Sequence, residues 1–213
     1  MDNGAQALRF ARGYVDTLPA DSTAFLAVGL SAPPAPFVPW AYHLRLGHVQ
    51  LVAGFGSAEQ HRAAIAPIRD AVTPLFELVT PMPFVALQQL FNASAPWGTL
   101  GYEKALYLNE LSDAAIAVID EQVPMKRSPL SFCPTFTLCG AYRDVADDDT
   151  AFGGSRSAGW LFNAEAAAAD RDSYEADRLW ARRFWDAMRP HASGAGGYVN
   201  FMAEVDDSRV RAS

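Results

Sequence analysis

Cysteine is scarce in this chain. Its two cysteines, Cys133 and Cys139, stand six residues apart in a stretch that reads as one strand. A continuous strand rises about 3.3 Å per residue and would hold them roughly 20 Å apart, far beyond disulfide reach. No zinc-ligand spacing exists either, so the expectation is reduced thiols in a cytoplasmic protein with no metal. Histidine is nearly as rare. His43, His48, His61 and His191 share no metal spacing and read as surface or turn residues. Asp147-Asp148-Asp149 lacks the alternation and the distal Glu of a calcium loop. No phosphate-cradling glycine motif and no GxSxG nucleophile elbow occur. No apolar run reaches the roughly 18 residues that a membrane span needs. The N-terminus shows no basic and apolar regions of a secretion signal. Positive charge is thin as well, with 17 Lys and Arg against 24 Asp and Glu, a net charge of −7. The basic residues are scattered apart from Arg182-Arg183 and Lys126-Arg127, which excludes a nucleic-acid face.

Apolar residues are plentiful. They make up 50% of 213 residues, enough for one domain with a substantial core. Apolar stripes predict helices over 3–18, from a Ser57 cap to about 71, over 83–91, 113–122 and 173–189. Pro67 is expected to kink or end the second of these. Alternation predicts strands over 23–31, 37–46, 48–55, 75–80, 102–108, 131–139, 157–164 and 196–202. The stretches 37–46 and 48–55 read as a hairpin turning at Gly47. The whole predicts an α+β domain spanning 1–213, a single broad and mostly antiparallel sheet with helices on one face.

Three places carry candidate chemistry. Gly196-Gly197-Tyr198-Val199-Asn200-Phe201 reads as a strand with Tyr198, Asn200 and Met202 on one side. It is either a half-buried strand or a phenol and an amide set side by side toward a ligand. On 131–139, Ser131, Cys133, Thr135, Thr137 and Cys139 share a small polar face, opposite Phe132, Pro134, Phe136 and Leu138. The apolar face is expected to take the helices. The small polar face is either an ordinary solvated surface or a pocket wall, with Thr135 and Thr137 as candidate substrate contacts. Lys104 alternates with Tyr102, Leu106 and Leu108 and sits either at a rim or in a pocket.

Several blocks then form an ordered series: Pro34-Ala35-Pro36-Phe37-Val38-Pro39, Pro81-Met82-Pro83-Phe84-Val85-Ala86-Leu87-Gln88, Gly101 to Leu108, Leu138-Cys139-Gly140-Ala141, Thr150-Ala151-Phe152 and Gly197-Tyr198-Val199-Asn200-Phe201. The series resembles the C-terminal, substrate-binding domain of berberine-bridge-enzyme-like FAD-linked oxidases. The resemblance implies a helix-backed antiparallel sheet whose open face closes over a flavin held by a separate domain. It implies Tyr198 as the base that deprotonates a substrate alcohol or phenol, Asn200 beside the flavin ring and Lys104 lining the site. Thr135 and Thr137 stand where some members carry an acid, and Cys139 where a Gly is usual. The family's flavin-binding domain has no counterpart here, so FAD is expected only from a partner.

The leading expectation is therefore the substrate-binding half of an FAD-linked oxidoreductase of secondary metabolism. Its substrate would be a small organic alcohol, phenol or sugar, and it would need a flavin-binding protein or domain. The alternatives are a stand-alone, flavin-independent cyclase, isomerase or ligand-binding protein, and a remnant that forms a homodimer through an exposed sheet face.

Overall fold

The computed structural model describes residues 4–92, 96–146, 149–194 and 197–204. Gly196, the aspartates 147 and 148 and the polar tail from Asp206 lie outside them. Five strands, β1 (Ser22–Ser31), β2 (Leu46–Gly54), β3 (Leu100–Leu108), β4 (Cys133–Thr137) and β5 (Trp160–Ala168), form one sheet in the order β2-β1-β4-β5-β3. Every pairing is antiparallel. The helices are α1 (Gly4–Val15), α2 (Ala58–Ala71), the short α3 (Phe84–Gln88), α4 (Asp113–Gln122) and α5 (Arg171–Met188). The architecture is the expected α+β sheet.

One face of that sheet holds the main core. Ala24, Leu26 and Val28 of β1, Tyr102, Leu106 and Leu108 of β3, Cys133 of β4 and Trp160, Phe162 and Ala164 of β5 meet three helices there. α1 brings Leu8, Ala11 and Val15, α4 brings Ala115, Ile116 and Ile119, and α5 brings Trp180, Phe184 and Met188. Fully burying such side chains contributes about 1.5–3 kcal/mol each. Asp177, 1% exposed on α5, clasps the chain entering β4. Its carboxylate accepts from the amides of Arg127 and Ser128 and from the Ser131 hydroxyl, each at 2.7 Å.

Three expected strands are not strands. Residues 37–46 coil through a 3-10 turn at Trp40–Tyr42, and Leu44 takes a φ of 60°, so β2 pairs with β1 instead of with them. Residues 75–80 form no regular element, and Arg69 grips Glu77 through two 3.0 Å hydrogen bonds. The Tyr198 segment turns through a 3-10 helix at Val199–Phe201. Pro67 neither ends nor splits α2. The carbonyl that it leaves without an intrahelical donor belongs to Ala63, an exposed residue. The Ser57 cap is present, completed by Gln60 as a capping box.

The two edges of the sheet differ. Along β3, Met202 forms a bridge with Lys104, and the Ala203 amide donates to the Glu103 carbonyl at 3.1 Å. Along the outer edge of β2, no strand of the described residues pairs.

Candidate functional site

The second face of the sheet carries no large helical layer. Its centre is a smaller cluster of Ala105, Tyr107, Ala158 and Leu161, with Phe136, Leu138, Tyr198 and Phe201 packed against it. Aromatic contacts run across it from ring to ring. Phe91 meets Phe25 edge-on, Phe25 stacks on Phe136 with centroids 5.3 Å apart, and Phe136 stacks on Phe201 at 5.7 Å. Phe201 then meets Tyr198 edge-on at 5.0 Å, and Tyr198 touches Phe152. Phe25, Phe136, Tyr198 and Phe201 remain half-buried, so this face is aromatic and only partly covered.

Tyr198 and Asn200 are brought together on this face, by a turn and not by strand alternation. The Asn200 Nδ2 donates to the Tyr198 Oη at 2.8 Å. That bond occupies one lone pair of the phenol oxygen and leaves its own proton free to point to another acceptor. Asn200 is exposed and Tyr198 half-buried. The segment is tied down beyond them by Glu204, which accepts from Tyr102 Oη at 3.0 Å and pairs with Arg178 and Arg182 of α5.

Thr135 and Thr137 do not line the open face. Thr135 is 0% exposed and sits opposite Leu26 and Phe162, both in the helix-covered core. Its hydroxyl donates to the Leu26 carbonyl at 3.0 Å, and that of Thr137 donates to the Ala24 carbonyl at 2.8 Å. The assignment of faces on 131–139 is thus reversed. The small side chains lie beneath the helices, their hydroxyls satisfied by β1, and Phe136 faces outward. Lys104 is likewise on the helix side, as the apolar company of Tyr102, Leu106 and Leu108 requires. Its Nζ lies over the Trp185 ring at 4.4 Å to the centroid. The sheet separates it from Tyr198, so it does not act on that phenol.

What faces outward instead is a row of carboxyl and amide groups. Glu103 and Glu165 are direct partners across β3 and β5, and Asn163 follows two residues on, opposite Ala105. Asn163 Nδ2 donates to Glu103 Oε2 at 2.8 Å. Asn163 is 1% exposed, and its Oδ1 has no hydrogen-bond partner among the described residues. Burial raises the Glu165 carboxyl to about 8, with the Glu103 charge adding to it. Burial raises Glu103 too, opposed by the Asn163 hydrogen bond. Glu165 therefore holds its proton at neutral pH. One sequence signal pointed here: a lone Glu inside the apolar run Asn163-Ala164-Glu165-Ala166-Ala167-Ala168. A depression of about 540 Å³ lined by Asp186, Arg189 and Pro190 lies at the C-terminal end of α5.

This outline matches solved structures over nearly its whole length. A BBE-like 1 enzyme of Physcomitrella patens superposes with a TM-score of 0.68 at 16% identity, over 98% of this chain and 44% of that one. The chain takes the fold of part of a berberine bridge enzyme-like oxidoreductase. Berberine bridge enzyme from Eschscholzia californica gives 0.69 at 15% identity, over 99% of this chain and 44% of its own. GilR, an oxidoreductase that catalyses the terminal step of gilvocarcin biosynthesis, gives 0.69 at 12% identity, over 100% and 46%. The chain thus spans somewhat under half the length of the berberine bridge enzyme-like structures it matches. No family model and no curated protein matches it. No helix of the described residues is long and apolar enough to cross a membrane.

Proposed function

We propose that this chain is the substrate-facing half of an FAD-linked oxidoreductase and works only with a flavin-binding partner protein or domain. One observation carries the reading. The sheet face opposite the helices holds the hydrogen-bonded Tyr198–Asn200 pair and the Glu103–Asn163–Glu165 row, and a run of stacked rings, Phe25, Phe136 and Phe201, leads across it to Tyr198. Stacked aromatics suit a flat heterocycle or substrate, and the polar groups suit its edges.

The residues fit part of a flavin. Asn163 Oδ1 is a buried acceptor without a partner among the described residues, and Glu165 a protonated donor on the same face, the kind of set that meets a heteroaromatic edge. Asn200 and Tyr198 would stand beside the ring. The sequence has no glycine-rich loop for the pyrophosphate, so the dinucleotide must be held elsewhere. A bound flavin would take the hydride. This chain's own part is to orient the substrate over the aromatic ladder and, with the Tyr198 phenol ionised and its own proton released to solvent, to accept the substrate's hydroxyl proton at Tyr198 Oη, which the Asn200 hydrogen bond holds in place.

The test is reconstitution. The purified chain is mixed with a flavin-loaded partner half, and peroxide release from hydroxylated aromatic and sugar substrates is followed. Activity that needs both halves and disappears in Tyr198→Phe supports the reading. Failure of every flavin-loaded partner to associate with the chain counts against it.

A further inference from the structure

We propose that Lys126 is the reactive amine of this chain and takes an acyl group from a small acyl phosphate, forming an amide. The site lies among α4, α5 and the chain entering β4, apart from the open aromatic face, so it stands whether or not that face meets a flavin.

Lysine is rare in this sequence, with Lys104 and Lys126 as the only two. Their surroundings are opposite. The Lys104 Nζ lies over the Trp185 ring, whose face favours a full positive charge. Lys126 follows the 3-10 turn Val123–Met125 and is half-buried. Its stem runs past Gly29, where β1 shifts register with a φ of 74° and a Cβ would stand 3.4 Å from the Lys126 Cε. The Nζ donates to the neutral Ser128 carbonyl at 3.0 Å. No carboxylate of the described residues forms an ion pair with it. The charge that acts on it is Asp177, whose carboxylate is already spent on the amides of Arg127 and Ser128 and on the Ser131 hydroxyl.

A half-buried ammonium without a paired carboxylate is costly, and the neutral amine is favoured in its place. Burial outweighs the attraction of Asp177 and lowers the Lys126 amine to about 8. Roughly half of it is then neutral at pH 8, against less than about 1% of an ordinary lysine. A desolvated neutral amine is a nucleophile. Its lone pair attacks the acyl carbon. The C–N bond forms, the bond from that carbon to the phosphate oxygen breaks, and phosphate leaves with the bonding pair. The proton shed by the nitrogen passes to solvent. The Ser128 carbonyl, already holding one N–H, meets the positive charge that grows on the nitrogen during attack. The amide product keeps an N–H for that carbonyl and removes the half-buried charge. A half-buried amine admits a small donor more readily than a bulky acyl carrier.

The test uses the whole native chain and needs no substitution, because Lys104 is the reference within the same molecule. The chain is incubated with acetyl phosphate from about pH 7 to about pH 10, and acetylation at each lysine is followed by mass spectrometry of its peptides. At pH 8 the initial rate at Lys126 is expected to exceed that at Lys104 by at least about tenfold. The Lys126 rate should level off above about pH 8 while the Lys104 rate keeps climbing. In the urea-unfolded chain the two rates should converge. A smaller or reversed preference in the folded chain would overturn the proposal. So would a Lys126 rate that climbs through the ordinary lysine range, the mark of exposure alone. A preference that survives unfolding would do the same, since the fold would then have no part in it.

Discussion

Tyr102 and Glu204 are joined across more than a hundred positions of sequence by a 3.0 Å hydrogen bond that straps the Tyr198 segment onto the sheet. Burial, then the Glu204 carboxylate, push the Tyr102 phenol up to about 12, so it remains a donor throughout the ordinary pH range. Replacing Glu204 with Ala removes this bond and two partly exposed ion pairs with α5. Such exposed pairs contribute at most about 1 kcal/mol each, so global stability should fall by only about 1–2 kcal/mol. Local order should suffer more. Hydrogen exchange at the Ala203 amide, which closes on Glu103, should quicken by at least about tenfold.

Stability should fall as pH rises from about 5 to about 8. Glu165 is raised from 4.5 to about 8 by burial and by Glu103, so the folded state binds a proton that the unfolded state has released across that window. The stabilisation is complete below 4.5 and is lost as pH passes the folded value. At about 1.4 kcal/mol per unit the ceiling is a few kcal/mol, and partial exposure of the side chain lowers it. Glu165→Gln should flatten the profile. Denaturant midpoints at pH 5 and pH 8 measure both effects, and a native chain more stable at pH 8 would contradict them.

Thr135→Val keeps the shape of the side chain and removes its bond to the Leu26 carbonyl. The expected cost is about 1 kcal/mol in denaturant unfolding. Because Thr135 lies under the helices, binding of aromatic probes to the open face should not change. Weakened probe binding in this variant would return Thr135 to the site.

Asp177→Ala should be among the most damaging single changes. It leaves the amides of Arg127 and Ser128 without their acceptor, while the Ser131 hydroxyl keeps the Ala167 carbonyl. A loss of about 3 kcal/mol is expected, with faster exchange at Ser128. Asp177→Asn, which keeps an acceptor oxygen, should recover part of it.

The alternations at β1, β3 and β4 made strands legible, and Leu8, Ala11, Val118 and Trp180 marked real helix faces. Which side of β4 the helices cover was not legible. An apolar strand face normally seeks helices, but here the aromatic face of Phe136 looks outward and the small face of Cys133 and Thr135 looks in. β4 is central in the sheet and carries apolar residues on both faces, Cys133 toward the main core and Phe136 toward the smaller cluster, so hydrophobicity alone could not tell them apart. The pairing of Tyr198 with Asn200 was legible as a neighbourhood, although a 3-10 turn, not a strand, produces it. Glu103 and Glu165 were hidden because their meeting depends on the β3–β5 register, which links positions far apart in the chain.

The unequal edges of the sheet have a consequence for how copies could assemble. Met202 and Ala203 already sit along β3, while no strand of the described residues pairs along the outside of β2. A backbone arriving from outside has a berth along β2. Two copies meeting there across a two-fold axis would fill it mutually, and growth would end at the pair instead of running on as a fibre.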